Sequence, residues 1–166
     1  MSRKNVKRQS KMHRIEEIIQ RIADIEKMTF SDAWSYESIA CTIRYDYNHL
    51  YVAYLDENGM VHCESYNCYE GGEQSICGYL IANQMADESE LLRVAVTEEH
   101  RQKGIGRYLL EYYLADIHGN RYFLEVRESN AAARGLYEKY GYKALGFRKA
   151  YYHEPEEAAV IYELEK

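Results

Sequence analysis

A short segment rich in glycine and basic residues has the composition of a phosphate-binding loop. Residues 101–107 read RQKGIGR and lie between a predicted strand and a predicted helix. Glycines expose backbone N–H groups and a helix N-terminus adds positive partial charge, so the backbone itself can hold a diphosphate. The segment is neither a P-loop, because no Gly-Lys-Ser/Thr follows, nor a dinucleotide fingerprint, because Leu109 occupies the third glycine position. A basic helix start with a glycine turn can also be purely structural.

Two polar residues in apolar surroundings are candidates for proton transfer. Glu125 stands between Leu124 and Val126 in a predicted strand, although carboxylates are seldom fully buried without a partner. Either strand alternation turns Glu125 outward, or it lies at the carboxyl end of a central strand, where α/β sheets place their ligands. Tyr137 lies on the apolar face of a predicted helix, where a tyrosine is usually a core residue with a satisfied hydroxyl. The residues alone leave both alternatives open.

The hydrophobic pattern predicts the elements that must hold these residues. Apolar residues at helical spacing predict a helix over 15–29, and Ser35 is a suitable N-cap for a second helix to about residue 44. Residues 60–75 predict a hairpin with a long mobile loop. The other predicted elements are strands at 49–55, 75–82 and 91–96, a helix at 104–118 with Gly119 as its left-handed cap, a strand at 122–126, a helix capped by Asn130 and ending at Gly141, and strands at 142–152 and 158–164.

The order of these elements predicts one α/β domain over residues 15–166. A strand, a helix and a second strand in succession form a crossover, which places the two strands parallel in one sheet. The closing strands follow one another directly and predict an antiparallel hairpin. We therefore expect a mixed central sheet with helices on both faces.

The charge distribution separates a short N-terminal segment from the rest of the chain. The net charge is −6, but residues 1–14 carry +6, so the remainder carries −12. A basic segment that is poor in apolar residues predicts a disordered tail, either a solubilising extension or a weak RNA contact. The acidic body disfavours nucleic acid and favours basic proteins or amines as partners.

Hydropathy and cysteine spacing exclude several other classes. No apolar run approaches the ~20 residues of a membrane span, and the N-terminus lacks the apolar core of a secretory signal. We therefore expect a cytoplasmic protein without membrane contact. The spacing of Cys63 and Cys68 does not match structural zinc, so we expect reduced thiols and no metal.

Taken together, three stretches resemble the GCN5-related N-acetyltransferase (GNAT) superfamily. They are residues 91–96 (LLRVAV), 101–107 and 124–142 (LEVRESNAAARGLYEKYGY). Arg-x-x-Gly-x-Gly marks the superfamily, and Leu-Glu-Val-Arg-x-Ser-Asn-x-x-Ala-x-x-Leu-Tyr is similar to the ribosomal-protein-alanine, or RimI-type, N-acetyltransferases. The resemblance covers about residues 15–166 and is strongest over 91–152.

The resemblance implies an enzyme that moves an acetyl group from acetyl-CoA to an amine. Glu125 matches the family's general base and Tyr137 its general acid. This chemistry is reasonable, because an α-amine with a pKa near 8 loses its proton readily and a phenol near 10 can return one to a thiolate. No covalent enzyme intermediate is needed. The residues implied to contact acetyl-CoA are Val94, Ala95, Val96, Gln102, Lys103, Gly104, Ile105, Gly106, Arg107 and Asn130.

The implied acceptor is the N-terminal α-amine of a small-subunit ribosomal protein. The chain departs from the family pattern at residues 148–152, at 156–158 and in a longer loop at 56–75, all of which border the expected peptide groove. A small amine or a lysine side chain is therefore an alternative acceptor. A non-catalytic acyl-CoA-binding regulatory module is a third possibility, although the presence of both Glu125 and Tyr137 argues against it.

Overall fold

Helices and strands follow one another in nearly the predicted order. A computed structural model describes residues 3–70 and 75–166, and within them the side chains from residue 9 onward. A short 3₁₀ turn, Glu98–His100, precedes the third helix. The elements are α1 (Arg3–Thr29), α2 (Tyr36–Thr42), β1 (Asn48–Leu55), β2 (Val61–Ser65), β3 (Ile76–Met85), β4 (Glu88–Val96), α3 (Ile105–Asp116), β5 (Arg121–Arg127), α4 (Ala131–Lys139), β6 (Lys143–His153) and β7 (Glu156–Glu165).

The described strands form one mixed sheet in the order β2-β1-β3-β4-β5-β7-β6. β4 and β5 are parallel and are joined through α3, whereas the other neighbouring strands are antiparallel. The predicted crossover around a parallel pair is confirmed. The pairing of β4 with β5 runs from Glu88–Arg121 to Leu91–Leu124, so the two strands separate toward their carboxyl ends.

Two apolar cores cover the two faces of the sheet. α1 and α2 contribute Ile22, Ile25 and Ile39 to one core, and α3 contributes Leu109 and Leu110 to the other, which α4 completes. These residues are at most 1% exposed. The predicted α/β class with helices on both faces is confirmed.

The first helix begins earlier than the sequence predicts. α1 starts at Arg3, within the segment for which the charge pattern predicts a disordered tail, and Lys11 is exposed on it. From Ile18 onward the helix buries one apolar face against the sheet, and Arg, Lys, Gln and Met, which are good helix formers, extend it toward the N-terminus at little cost. Residues 1–2 of the predicted tail lie outside the described residues.

The prediction that Gly119 is a left-handed cap is wrong. α3 ends at Asp116, Ile117 is extended, and Gly119 is not among the residues with positive φ. A Cβ at Gly119 would lie 2.9 Å from the carbonyl oxygen of Asp87, so the close approach of the β3–β4 turn requires glycine there. The left-handed glycine of α3 is instead Gly104 at its N-cap, with a φ of 81°.

The hairpin predicted with residues 60–75 is confirmed. β2 pairs antiparallel with β1, from Leu55–Val61 to Tyr51–Ser65, and residues 71–74 of the predicted loop lie outside the described residues. In the part of the chain that the structure describes, no helix is long and apolar enough to cross a membrane.

Candidate active site

The glycine-rich segment presents free backbone N–H groups at the start of α3. Gln102 and Gly104 are both left-handed, with φ of 61° and 81°. Tyr108 donates to the Gly104 carbonyl at 3.0 Å, whereas no N–H of residues 102–107 has a partner among the described residues. Several unpaired N–H groups at a helix N-terminus form a site for an anion such as a diphosphate.

Basic side chains surround this loop. Lys103 and Arg107 are exposed, and Arg107 lies 3.5 Å from Glu111. Arg101 donates through Nε to the Val96 carbonyl at 3.2 Å and so holds the loop against β4. The loop therefore adds positive charge to its backbone donors.

The separation of β4 from β5 exposes one edge of β4. Thr97 N–H donates to the Cys77 carbonyl at 2.8 Å, so the backbone groups of Thr97 point toward β3. In an antiparallel pair every second residue points the same way, so the N–H and C=O of Ala95 also face β3. Val94 and Val96 accordingly turn their backbone groups toward the opening between β4 and β5. Of the predicted cofactor contacts on β4, these two have free backbone N–H groups in position to pair with an extended ligand.

Glu125 lies on the α1/α2 side of the sheet. Leu124 and Val126 belong to the opposite core, so strand alternation turns Glu125 away from it. The Glu125 side chain is only 17% exposed, and its Oε1 lies 3.1 Å from Nη1 of Arg148 on β6. Burial, together with the neighbouring Glu125 carboxylate, raises the pKa of the Tyr151 phenol. Glu125 is thus turned out of the core yet partly covered.

Tyr137 belongs to α4, and its side chain is part of the core on the opposite face of the sheet. It is 5% exposed, and its ring packs against Tyr142 at 5.8 Å between centroids. Burial, and to a smaller extent Tyr152, raises the pKa of the Tyr137 phenol above its ordinary value. Its hydroxyl makes no hydrogen bond to any described residue. Tyr137 therefore keeps its proton at neutral pH and can donate it to a ligand.

Tyr152 on β6 is a third ionisable group near these two. Burial and Tyr151 raise its pKa to about 12, with a further contribution from Glu125. Tyr152 in turn makes a smaller contribution to the raised pKa of Tyr137. Glu125 and Tyr137 thus lie on opposite faces of the sheet, one a partly covered carboxylate and the other a protonated phenol, and such a pair can move protons to and from a ligand.

Two connections meet above the Glu125 side of the sheet. Ser31, between α1 and α2, donates through Oγ to the Glu154 carbonyl in the β6–β7 turn at 2.7 Å. Arg127, two residues after Glu125 on the same face, donates to the same carbonyl at 3.1 Å and stacks 4.1 Å above the Tyr152 ring. These contacts join the α1–α2 connection to the β6–β7 turn on the Glu125 side of the sheet.

The predicted ligand contact Asn130 lies at the N-cap of α4. Its Oδ1 accepts from Ala133 N–H at 3.1 Å, and its side-chain N–H groups have no partner among the described residues. Ser129 donates to the Glu157 carboxylate through its backbone N–H and, at 3.1 Å, through Oγ. Asn130 and Tyr137 are seven residues apart, so both can face a ligand from one side of α4.

The sequence does not identify Arg148 as the partner of Glu125. β6 is irregular between Arg148 and Tyr152, and Ala150 has a φ of 50°. This bulge brings both Arg148 and Tyr151 to Glu125. The available signal was the departure of residues 148–152 from the family pattern, which does not by itself indicate a bulge.

The cysteines have no place in this site. All four thiols are free, and burial raises the pKa of Cys63 to about 12 and of Cys77 to about 11, which makes both poor nucleophiles. Among the residues that the structure describes, no cluster of His, Cys, Asp and Glu is arranged to hold a metal ion.

Comparison with known proteins places the chain in a family. The model of the acetyltransferase (GNAT) family matches residues 19–142. The [ribosomal protein bS18]-alanine N-acetyltransferase of Escherichia coli K12 is 35% identical over 80 residues, which are 46% of this chain and 54% of that protein. The chain thus spans about half the length of this curated relative. A putative enzyme of the same name from Bacillus subtilis 168 is 29% identical over 149 residues, 87% of each chain.

Solved structures agree with the fold. The ribosomal-protein-S18-alanine N-acetyltransferase from Escherichia coli superposes with a TM-score of 0.71 at 25% identity, over 89% of this chain and 86% of that one. A chain of the NatC complex bound to Gag peptide and CoA reaches 0.74 at 19% identity, over 91% and 92%, a likeness of fold alone. The family match, the sheet that opens between β4 and β5 and the loop at the start of α3 lead to one conclusion: the chain belongs to the acetyltransferase (GNAT) family.

Proposed function

We propose that the chain is an acetyl-CoA-dependent N-acetyltransferase that acetylates the N-terminal α-amine of a protein. The observation that carries the proposal is that Glu125 directly follows Leu124, where the pairing of β5 with β4 ends, while Tyr137 lies in the core on the other face of the sheet. Each group is in a state suited to its role, since Glu125 lies partly open to an acceptor and Tyr137 stays protonated. The names of the relatives favour the same reaction.

The donor binds mainly through the backbone. The free N–H groups of residues 102–107 hold the diphosphate, and Val94 and Val96 pair with the extended arm that follows it. Asn130 offers its side-chain amide from the start of α4. This arrangement leads the thioester into the opening, between Glu125 and Tyr137.

The protein's groups then move two protons. As the amine nitrogen bonds to the thioester carbonyl carbon, Glu125 accepts a proton from the amine, directly or through water. As the carbon–sulfur bond breaks, the Tyr137 hydroxyl donates its proton to the departing sulfur. The products are an amide and a free thiol, and no acetyl group is carried by the enzyme.

The bridge between Ser31 and Glu154 supports a chain terminus as acceptor. It joins the α1–α2 connection to the β6–β7 turn on the Glu125 side of the sheet, and in this proposal it bounds the acceptor site on one side, so that the end of a chain enters from the other. The net charge of −12 outside residues 1–14 favours a basic protein. By likeness to the named relatives, the proposed substrate is a small-subunit ribosomal protein that begins with alanine, modified in the cytoplasm.

The test is acetyl transfer to a matched panel of amines. The protein is incubated with acetyl-CoA and one of three acceptors: a peptide with a free N-terminal alanine, the same peptide blocked at its N-terminus but carrying an internal lysine, or a small polyamine. Thiol release and peptide mass are measured. We expect transfer to the free N-terminus alone. Transfer only to lysine or the polyamine contradicts the proposed acceptor, and binding of acetyl-CoA without any transfer indicates a regulatory module.

A further inference from the structure

A buried pair of charges lies behind the site and takes no part in the proposed reaction. Glu26 on α1 is fully buried, and Arg93 on β4, directly before Val94, has a side chain 11% exposed. The Arg93 Nε lies 3.8 Å from Glu26 Oε1 and is buried without a hydrogen bond. Burying charges costs free energy, so a role other than stability is a reasonable hypothesis for this pair.

Arg93 contacts the connection between α1 and α2 at several points. Its Nη2 donates to the Asp32 carbonyl at 2.7 Å and lies 3.2 Å from Asp32 Oδ2. Its guanidinium lies 4.7 Å from the ring centroid of Phe30 and 5.2 Å from that of Trp34. One side chain from the donor-binding strand thus holds three residues of this connection.

Glu26 holds the same connection from the helix side. Its Oε2 accepts from Trp34 N–H at 2.8 Å, and its Oε1 accepts from the hydroxyl of Tyr79 on β3. Arg93 is the cation beside this carboxylate. The pair therefore ties residues 30–34 to the sheet through β3 and β4.

The tied connection is the one that reaches the β6–β7 turn. Ser31, between Phe30 and Asp32, makes the bridge to Glu154 on the Glu125 side of the sheet, where the proposed function places the acceptor. We propose that Arg93 is a positioning residue that holds the α1–α2 connection beside the acceptor, and so sets acceptor affinity without touching either substrate. This inference rests on the proposed function.

The first test reads the position of the connection without using activity. Trp34 is the only tryptophan of the chain, so its fluorescence reports on this connection alone. Arg93→Lys keeps the charge but loses the planar fork and the stacking. We expect Trp34 in the variant to be quenched by acrylamide about twice as efficiently. Arg121→Lys is the matched control, because Arg121 pairs with Glu88 on the surface, and it should behave as wild type.

The second test separates positioning from general stability. We expect Arg93→Lys to raise the acceptor KM roughly tenfold, a loss of about 1.4 kcal/mol, with kcat and the acetyl-CoA KM within twofold of wild type. Equal losses in both KM values together with a lower Tm would show a merely structural role and overturn the proposal, as would unchanged quenching and acceptor KM.

A second variant keeps the inference testable if Arg93→Lys does not fold. The Asp32 side chain is 57% exposed, so Asp32→Ala should fold, and we expect a smaller rise in both Trp34 quenching and acceptor KM. No change in either measurement for this variant contradicts the proposal. If the wild-type protein shows no turnover, the proposed function is contradicted instead. The quenching experiment still tests whether Arg93 holds the α1–α2 connection in place.

Discussion

The two residues proposed to move protons differ in what surrounds them. Glu125 has a cation 3.1 Å away and keeps part of its surface open to an acceptor. Tyr137 lies among apolar and aromatic side chains, where burial favours the neutral phenol. A base must be reachable by the incoming amine, whereas an acid must hold its proton until the thiol leaves. The two environments meet these different requirements.

Replacing Glu125 by Gln should lower kcat by roughly 10²-fold, in the range for loss of a general base. Acetyl-CoA affinity measured by calorimetry should stay unchanged. Glu163→Gln is a suitable control, because Glu163 forms its ion pair with Arg121 away from the site. Wild-type rates in Glu125→Gln would show that Glu125 only pairs with Arg148 and moves no proton.

Replacing Tyr137 by Phe should lower turnover by about 10²-fold while the ring packing and Tm persist. Because burial raises the pKa of Tyr137, wild-type activity should show no loss from its ionisation below about pH 10. Tyr142→Phe is the matched control: its hydroxyl is buried without a hydrogen bond, so its removal should leave turnover intact and stability equal or higher. Full activity in a folded Tyr137→Phe protein would remove the general-acid assignment.

At the scale of elements, backbone conformation carries donor binding. Gln102 and Gly104 turn the chain into α3 with left-handed conformations, and this leaves the N–H groups of residues 102–107 free. The separation of β4 from β5 frees the edge at Val94 and Val96. Neither the loop nor the free strand edge depends on one particular side chain. Charge and backbone conformation at the loop should therefore affect acetyl-CoA affinity more than any single side-chain contact.

Replacing Gly104 by Asp should abolish acetyl-CoA binding. A Cβ at Gly104 meets nothing within 4 Å, so the expected effect comes from negative charge beside the diphosphate rather than from bulk. Gly104→Asn is the matched control, because Asn tolerates the left-handed conformation and adds no charge, and it should bind within a few-fold of wild type. Lys103→Ala should weaken binding modestly. Calorimetry that finds wild-type affinity in Gly104→Asp would exclude this loop as the donor site.

At the scale of the whole molecule, charge is unevenly distributed. Residues 1–14 carry +6 and the remainder −12, and residues 9–13 of α1 are exposed, whereas packing against the core begins near Ile15. The body that holds the site is therefore acidic, and its potential should attract a basic acceptor over distances comparable to the Debye length.

This charge distribution predicts a salt-dependent acceptor KM. For a peptide with several lysines and arginines beyond its N-terminal alanine, raising the salt concentration from about 0.05 to about 0.3 M should raise KM several-fold, because screening weakens the attraction. A peptide with the same first residues and no charged side chains should show little change. Equal salt effects on the two peptides would mean that the field of the acidic body plays no part in acceptor binding.

The sequence alone determined the parts of the site that depend on neighbouring residues. The glycine-rich start of α3 can be recognised from residues 101–107, because a loop conformation and a helix N-terminus are local properties. Asn130 and Tyr137 share a helix whose spacing places them on one side. Strand alternation left the direction of Glu125 open, since an apolar run with one carboxylate fits either orientation.

Tertiary structure decided everything that joins distant parts of the chain. The Arg148–Glu125 pair depends on a bulge in β6, and the Ser31–Glu154 bridge joins residues 123 positions apart. In the sequence Arg93 is one basic residue in a predicted strand, and only the folded structure places it beside Glu26 of α1. Register, bulges and buried ion pairs are set by free energies of packing shared among several elements, and a single segment of sequence carries only one side of each contact.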